Sequence, residues 1–150
     1  MKRFSDLLSL RAGETPAESQ KQARIRFLNE VPQSKLSLRR PATPIPPAGT
    51  HVILGVATYS RPDLDLLDDV DTSLSEGNGQ APTVDVFDVL DCNQMIDFGN
   101  FIPGLLQPVY QTPVVGVISD GQLVESGFGL TEVGRILRRL HILNSDPVST

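Results

Sequence analysis

Residues 111–129 (QTPVVGVISDGQLVESGFG) constrain the fold of this chain more than any other stretch. Asp120 and Gly121 stand between two apolar runs, and Asp-Gly in that position is a strong hairpin signal because a type I′ turn needs positive φ at both central residues. The first run, residues 114–118, is almost wholly β-branched, as expected of a strand that is covered on both faces. Pro113 precedes it, where a missing N–H costs the ladder of hydrogen bonds least. The stretch therefore predicts a β-hairpin whose first strand is buried.

The elements before and after the hairpin follow from hydrophobic periodicity. Residues 51–57 (HVILGVA) have the pattern of a buried strand, and residues 61–76 place apolar side chains on one face of a helix. Residues 83–90 form a second β-rich run, and a helical or irregular segment follows. A last helix is predicted to begin at Thr131, a good N-cap. The body of the chain, residues 49–150, therefore has the predicted order βαβαββα.

This order predicts an α/β fold with a mixed sheet. Two strands joined through a helix are parallel, the hairpin adds an antiparallel pair, and helices are expected on both faces. The order, with a proline before the third strand, resembles the thioredoxin fold. The resemblance is carried by residues 52–67, residues 112–115 and the hairpin with its final helix, and it covers residues 50–143. In that family the proline bond is cis and faces the active site, so the resemblance implies a cis Thr112–Pro113 bond.

Residues 1–48 differ from the body in charge and composition. Residues 1–50 carry a net charge of +5, and the remaining residues carry −10. A helix is predicted over residues 16–30, and five prolines between residues 31 and 50 indicate an extended tether. We therefore predict a basic, extended N-terminal arm, residues 1–48, ahead of an acidic thioredoxin-like domain.

The helix of the arm has a narrow apolar face and needs a partner surface. An isolated helix of this length is marginal in water, and the opposite charges of arm and body favour attraction within one chain or between chains. We expect the arm to dock on another protein, either a second copy or a larger assembly. The residues expected to contact that partner are Lys21, Arg24, Arg26, Phe27 and Leu28.

The resemblance also indicates where chemistry is expected. Thioredoxins open the first helix of the body with a Trp-Cys-Gly-Pro-Cys loop, and the matching residues here are Tyr59, Ser60, Arg61, Pro62 and Asp63. The aromatic residue and the proline match, but both cysteines are replaced. Disulfide exchange needs a thiolate and a second, resolving thiol. The family's buried acid falls on Leu54. The resemblance thus implies a member without the redox pair, and we predict no catalytic residue.

Ser60 and Asp63 also fit a structural role. A serine followed three residues later by an acid at a helix start resembles a capping box, and Pro62 suits the first turn. We favour this interpretation over a nucleophilic Ser60. A serine nucleophile needs a nearby base, and the sequence places neither His51 nor His141 near the loop.

Several classes of function are disfavoured. The single cysteine, Cys92, rules out an internal disulfide framework and fits a reducing compartment. No apolar run is long enough for a signal peptide or a membrane span, so we expect a soluble, cytoplasmic protein. The five aspartates within residues 63–71 lack calcium-loop spacing and are interpreted as a solvated or partner-facing surface, and no phosphate-binding glycine motif occurs. We predict no metal and no cofactor, and the pair Arg39-Arg40 does not argue for nucleic acid.

Three functions remain open at this stage. The first is a non-catalytic interaction or assembly protein that docks on a protein partner through its arm and its domain surface. The second is a folding or assembly chaperone that holds an extended segment in the groove beside Thr112 and Pro113. The third is a single-cysteine redox protein that uses Cys92, although nearby acids would raise the pKa of its thiol.

Overall fold

A computed structural model of the chain describes residues 3–8, 12–77, 82–92, 98–106, 109 and 111–143. Over these residues the helices are α1 (Pro16–Glu30), α2 (Arg61–Glu76) and α3 (Leu130–Arg139). The strands are β1 (Ser37–Leu38), β2 (Thr50–Val56), β3 (Thr83–Asp88), β4 (Val114–Ser119) and β5 (Gln122–Phe128). Short 3₁₀ turns occupy Phe4–Leu8, Val31–Gln33 and Val89–Asp91.

The five strands form one mixed sheet in the order β1-β3-β2-β4-β5. β3 is parallel to both β1 and β2, whereas β4 is antiparallel to β2 and β5 is antiparallel to β4. The helix α2 connects β2 to β3 and lets the two strands run in the same direction. The predicted α/β class and mixed sheet are confirmed.

The predicted hairpin is the connection between β4 and β5. Asp120 and Gly121 both have positive φ, 50° and 83°, as its turn requires. The backbone N–H of Asp120 donates to the carbonyl of Gly49 at 3.0 Å, and the Asp120 carboxylate accepts from the Gly49 N–H at 3.1 Å. These bonds tie the turn to the start of β2. β4 is buried along almost its whole length, as the β-branched run predicted.

Each face of the sheet carries its own apolar cluster. The first cluster contains side chains from all three helices and alternate residues of β2, β3 and β4, including Leu54 and Val115. The second lies on the opposite face and is closed by residues 98–106 and Val109. In it the rings of Phe87 and Phe101 stack with centroids 4.4 Å apart. The sheet is therefore covered by helices on one face and by a largely irregular segment on the other.

The prediction of helices on both faces is wrong for the residues that the structure describes. Pro103, which lacks an N–H, and Gly104, which has a φ of 91°, break any helix in residues 98–106. The expected start of the second body helix, at residue 93, lies outside the described residues. Over the described residues the body thus has the order βαβββα.

The N-terminal arm is packed against the body instead of extended. Phe4, Ala23 and Phe27 are buried in the first cluster together with the strands, and the rings of Phe4 and Phe27 lie 6.2 Å apart. β1 adds an edge strand beside β3. The expectation of an extended arm is therefore wrong for its described part, since the apolar face of α1 finds a surface in its own chain. Residues on both sides of the predicted boundary at 48–49 share one core.

Two element ends differ from the prediction. β3 stops at Asp88, because the Asp88 carboxylate accepts a hydrogen bond from the Leu90 N–H at 3.0 Å and turns the chain into a 3₁₀ turn. α3 begins at Leu130 and follows Gly129, so Thr131 lies within the helix and does not cap it.

Among the helices described, none is long and apolar enough to cross a membrane.

Candidate functional site

Asp63 connects two segments of the chain at the end of the sheet where the resemblance to thioredoxins predicts a redox loop. It lies in the first turn of α2 and is 1% exposed. Its carboxylate accepts from the backbone N–H of Ala57 at 2.9 Å and from the side chains of Ser60 and Thr112. Burial raises the pKa of Asp63, while these three hydrogen bonds oppose the rise. Asp63 thus fastens the loop after β2 to the residue that precedes Pro113.

The capping box expected from Ser60 and Asp63 is not formed. Ser60 is the N-cap of α2, but its side chain caps no helical N–H. Its hydroxyl donates instead to Asp63, whose carboxylate reaches back to the N–H of Ala57. The two residues are therefore structural, as predicted, but through a different set of bonds.

Pro113 lies between this loop and the start of α3. The Thr112–Pro113 bond is cis, in agreement with the expectation from the resemblance. The Pro113 carbonyl accepts from the Gly129 N–H at 2.9 Å. Gly129 has a φ of 89°, a conformation that favours glycine because side chains at other residues strain it. The fold thus brings residues 59–63, 112–113 and 128–130 to one end of the sheet.

Large apolar side chains remain exposed beside these contacts. Tyr59 is 46% exposed, and Phe128 and Leu130, on either side of Gly129, are 41% and 45% exposed. Pro113 itself is buried, Thr112 is half-buried, and Arg61 and Pro62 are exposed. We call Tyr59, Thr112, Phe128 and Leu130 the cis-proline surface. It offers apolar contacts around a rigid, hydrogen-bonded frame.

A second buried carboxylate, Asp88, lies at the end of the neighbouring parallel strand. It is fully buried and accepts from the Thr58 hydroxyl at 3.1 Å and from Arg24 Nη1 at 2.6 Å, in addition to the N–H of Leu90. Burial raises the pKa of Asp88, and its hydrogen bonds and Arg24 oppose the rise. Arg24 also pairs with Asp91. Sequence reasoning did not select Asp88 or Thr58, and no local motif marks them.

The five residues expected to contact a partner through the arm differ in their burial and in the contacts they make. Phe27 is fully buried in its own chain, and Arg24 is bonded to its own body, so neither is a surface contact for another molecule in this structure. Leu28 is half-buried against the first cluster, and the Nε of Arg26 donates to the Gln22 carbonyl at 3.3 Å. Lys21 is exposed.

The acids of α2 have a structural role that the sequence reading missed. Asp63, Asp68 and Asp71 are each at most 5% exposed. Asp68 accepts from the backbone N–H groups of Phe4 and Ser5, and Asp71 accepts from that of Lys35 at 2.8 Å. Asp68 and Asp71 therefore fasten the arm to the body, and the three buried carboxylates do not form a solvated surface. Asp65 and Asp69 are exposed. No cluster of three potential metal ligands occurs in the part of the chain described.

Cys92 lies on the face of the sheet that carries the second cluster. It follows the 3₁₀ turn after β3, is half-buried, and packs against the second cluster. Its backbone N–H donates to the carbonyl of Val89 at 3.1 Å. The thiol thus packs on the face of the sheet opposite α2.

Comparisons with known proteins give no relative from which a function could be transferred. No protein-family model matches the chain. No curated protein matches it either.

Proposed function

We propose that this chain is a non-catalytic thioredoxin-like protein that binds an extended polypeptide segment of a protein partner at the cis-proline surface. The strand order supports the thioredoxin-like part: three parallel strands, then an antiparallel hairpin, with a cis proline before the first hairpin strand. The edge strand β1 from the arm completes this five-stranded sheet. A reducing compartment such as the cytoplasm suits a chain with one cysteine.

The observation that carries the proposal is the buried Asp63. It stands where the resemblance places the second cysteine, and its carboxylate is occupied by donors from Ala57, Ser60 and Thr112. A carboxylate cannot form or resolve a mixed disulfide. Its bonds also hold the loop in a fixed position, which favours binding because little conformational freedom is left to lose. The loop is thus a rigid support for the neighbouring apolar side chains.

The chemistry of the surface favours a polypeptide with apolar side chains. Tyr59 presents an aromatic ring with a polar tip, and Tyr is enriched at positions that dominate binding energy in interfaces. Phe128 and Leu130, which flank the Gly129 that bonds to Pro113, add exposed apolar area. Asp63 is buried and hydrogen-bonded, so its carboxylate is not open to repel an apolar segment.

Selection of random peptides displayed on phage against the full-length chain tests this function. Affinities of the enriched peptides are then measured by fluorescence anisotropy for wild type, Tyr59→Asp, Leu130→Asp and Ile25→Asp. Ile25 is the matched control, since it is an apolar residue on α1 with a similar exposure of 43%. We expect the first two variants to weaken binding by about tenfold or more, and the control to leave it unchanged. A selection without enriched peptides, or equal losses in all three variants, would refute the proposed function.

A further inference from the structure

A short proline-rich stretch near the end of the arm, residues 43–47 (TPIPP), belongs to neither a helix nor a strand. We call it the proline segment. Proline fixes φ at about −65°, and the residue before a proline is pushed toward extended values of ψ. Every residue of the segment is a proline, precedes one, or does both. These restrictions favour a polyproline II helix, because its φ and ψ satisfy both of them.

The proline segment turns one side to the body and its prolines to solvent. Ile45 is half-buried and packs against the second cluster. Thr43, Pro44, Pro46 and Pro47 are all exposed. A polyproline II helix has about three residues per turn, so residues 43 and 46 share one edge and residues 44 and 47 share a second. The third edge carries Ile45. The two edges that carry the prolines are therefore open to solvent.

Bonds to the body hold the chain on both sides of the proline segment. Before it, the Ala42 N–H donates to the Asn100 carbonyl at 2.7 Å. After it, the Gly49 N–H donates to the Asp120 carboxylate at 3.1 Å, and the Gly49 carbonyl accepts from the Asp120 N–H at 3.0 Å. Ile45 fastens the middle of the segment. A partner thus meets a segment that is already ordered, which lowers the entropic cost of binding.

An open cavity of about 390 Å³ lies beside the proline segment. Thr43 and Pro44 of the segment line it together with Pro103 and Gly121 of the body. The body therefore leaves room next to Pro44 for side chains of a partner. Gly121 belongs to the turn that precedes β5, whereas Phe128 of the cis-proline surface is the last residue of β5. The cavity and the cis-proline surface thus lie toward opposite ends of this strand.

We propose that the proline segment docks on a partner protein whose groove is lined with aromatic side chains and recognises a polyproline II helix. Grooves of this kind, such as those of SH3 domains, receive prolines three residues apart, and Pro44 and Pro47 have that spacing. The partner contacts the two exposed edges while Ile45 stays packed on its own body. Docking therefore leaves the fold intact, and it does not depend on the function proposed for the cis-proline surface.

Titration of a panel of purified SH3 domains with the full-length protein tests the proposal. Each domain is first shown to bind a PxxP peptide in its groove. The chain contains no tryptophan, so tryptophan fluorescence reports on the groove of the domain alone. The variants are Pro44→Ala and Pro47→Ala, both at exposed positions. The matched control is Pro32→Ala, an exposed proline of the arm outside the segment, and Tyr59→Asp serves as the control for the cis-proline surface.

We expect at least one domain of the panel to bind saturably and the PxxP peptide to displace the chain from its groove. Pro44→Ala and Pro47→Ala should each weaken binding about fivefold or more, because each removes a ring from an edge that the groove contacts. Pro32→Ala and Tyr59→Asp should leave binding unchanged. Loss in Tyr59→Asp without loss in Pro44→Ala would assign the contact to the cis-proline surface and overturn the proposal. Equal effects of Pro44→Ala and Pro32→Ala, failure of the peptide to compete, or no saturable binding to any domain would overturn it as well.

Discussion

Arg24 and Asp88 are 64 positions apart in the sequence, yet Arg24 Nη1 lies 2.6 Å from Asp88 Oδ2. The contact joins α1 of the basic arm to the end of β3 in the acidic body. Asp88 also accepts from Thr58, next to Tyr59 of the cis-proline surface. Arg24 of the basic arm is thus paired within its own chain, and the arm helix supports the loop that the proposed function uses.

Substitution of Arg24 should destabilise the fold. In Arg24→Ala the fully buried Asp88 keeps the Thr58 hydroxyl and the Leu90 N–H but loses its cation. We expect the free energy of unfolding to fall by about 2 kcal/mol, measured by urea denaturation. The control Arg135→Ala removes an exposed pair with Glu132 and should change it by less than about 0.5 kcal/mol. Equal effects of the two substitutions would contradict the structural role of Arg24.

A substitution of Phe27 tests whether the arm packs within its own chain. Phe27→Ala leaves a cavity in the first cluster and should lower the free energy of unfolding by about 3–5 kcal/mol. The half-exposed neighbour Ile25 is the control, and Ile25→Ala should cost about 0.5 kcal/mol. The unfolding midpoint of the wild type should not depend on protein concentration, because the contact is intramolecular. A midpoint that rises with concentration would show docking between chains instead.

The hairpin and α2 could be predicted from sequence because their signals are local. Asp120-Gly121 specifies a turn by its backbone conformation, and the bounds of α2 follow from its apolar spacing. The contact between Arg24 and Asp88 could not be predicted, since two residues 64 positions apart form no local sequence pattern. The apolar face of α1 could be buried against its own chain or against another molecule. Both arrangements bury the same side chains, so the hydrophobic pattern of the sequence could not distinguish them.

The candidate site was predictable only in part. The resemblance pointed to residues 59–63 and to Pro113, and the structure brings them together through Asp63 and Thr112. The bonds of Asp88 with Thr58 and Arg24 were not foreseen, because the three segments that carry these residues meet only in the folded chain.

Stability should depend on pH through Asp63. Burial raises its pKa in the folded state above the ordinary value of 3.8, so the native protein binds this proton more tightly than the unfolded chain. Between the raised pKa and 3.8, the contribution of Asp63 to stability increases as the pH falls. We therefore expect wild type to gain stability relative to Asp63→Asn as the pH is lowered from 7 to 4. Paired urea melts across this range measure the difference, and a constant or opposite difference would contradict the assignment.

Disulfide reductase activity should be absent. Ser60 and Asp63 stand where the resemblance to thioredoxins places the two thiols, and Cys92 packs against the second cluster instead. We expect the rate of insulin reduction in the presence of dithiothreitol to match that of a Cys92→Ala variant. Turnover above that cysteine-free control would favour the single-cysteine redox alternative.

The three buried aspartates of α2 influence which positions of the chain tolerate substitution. Asp63, Asp68 and Asp71 bind main-chain N–H groups, those of Ala57, of Phe4 and Ser5, and of Lys35. Every amino acid except proline carries that donor. The bound segments can therefore change their side chains without losing these bonds, whereas each aspartate must keep its carboxylate and its length. Mutational tolerance should accordingly be asymmetric where Asp71 binds Lys35, because the aspartate is buried and the lysine side chain is exposed. Phe4 and Ala57 are restricted by their own burial instead.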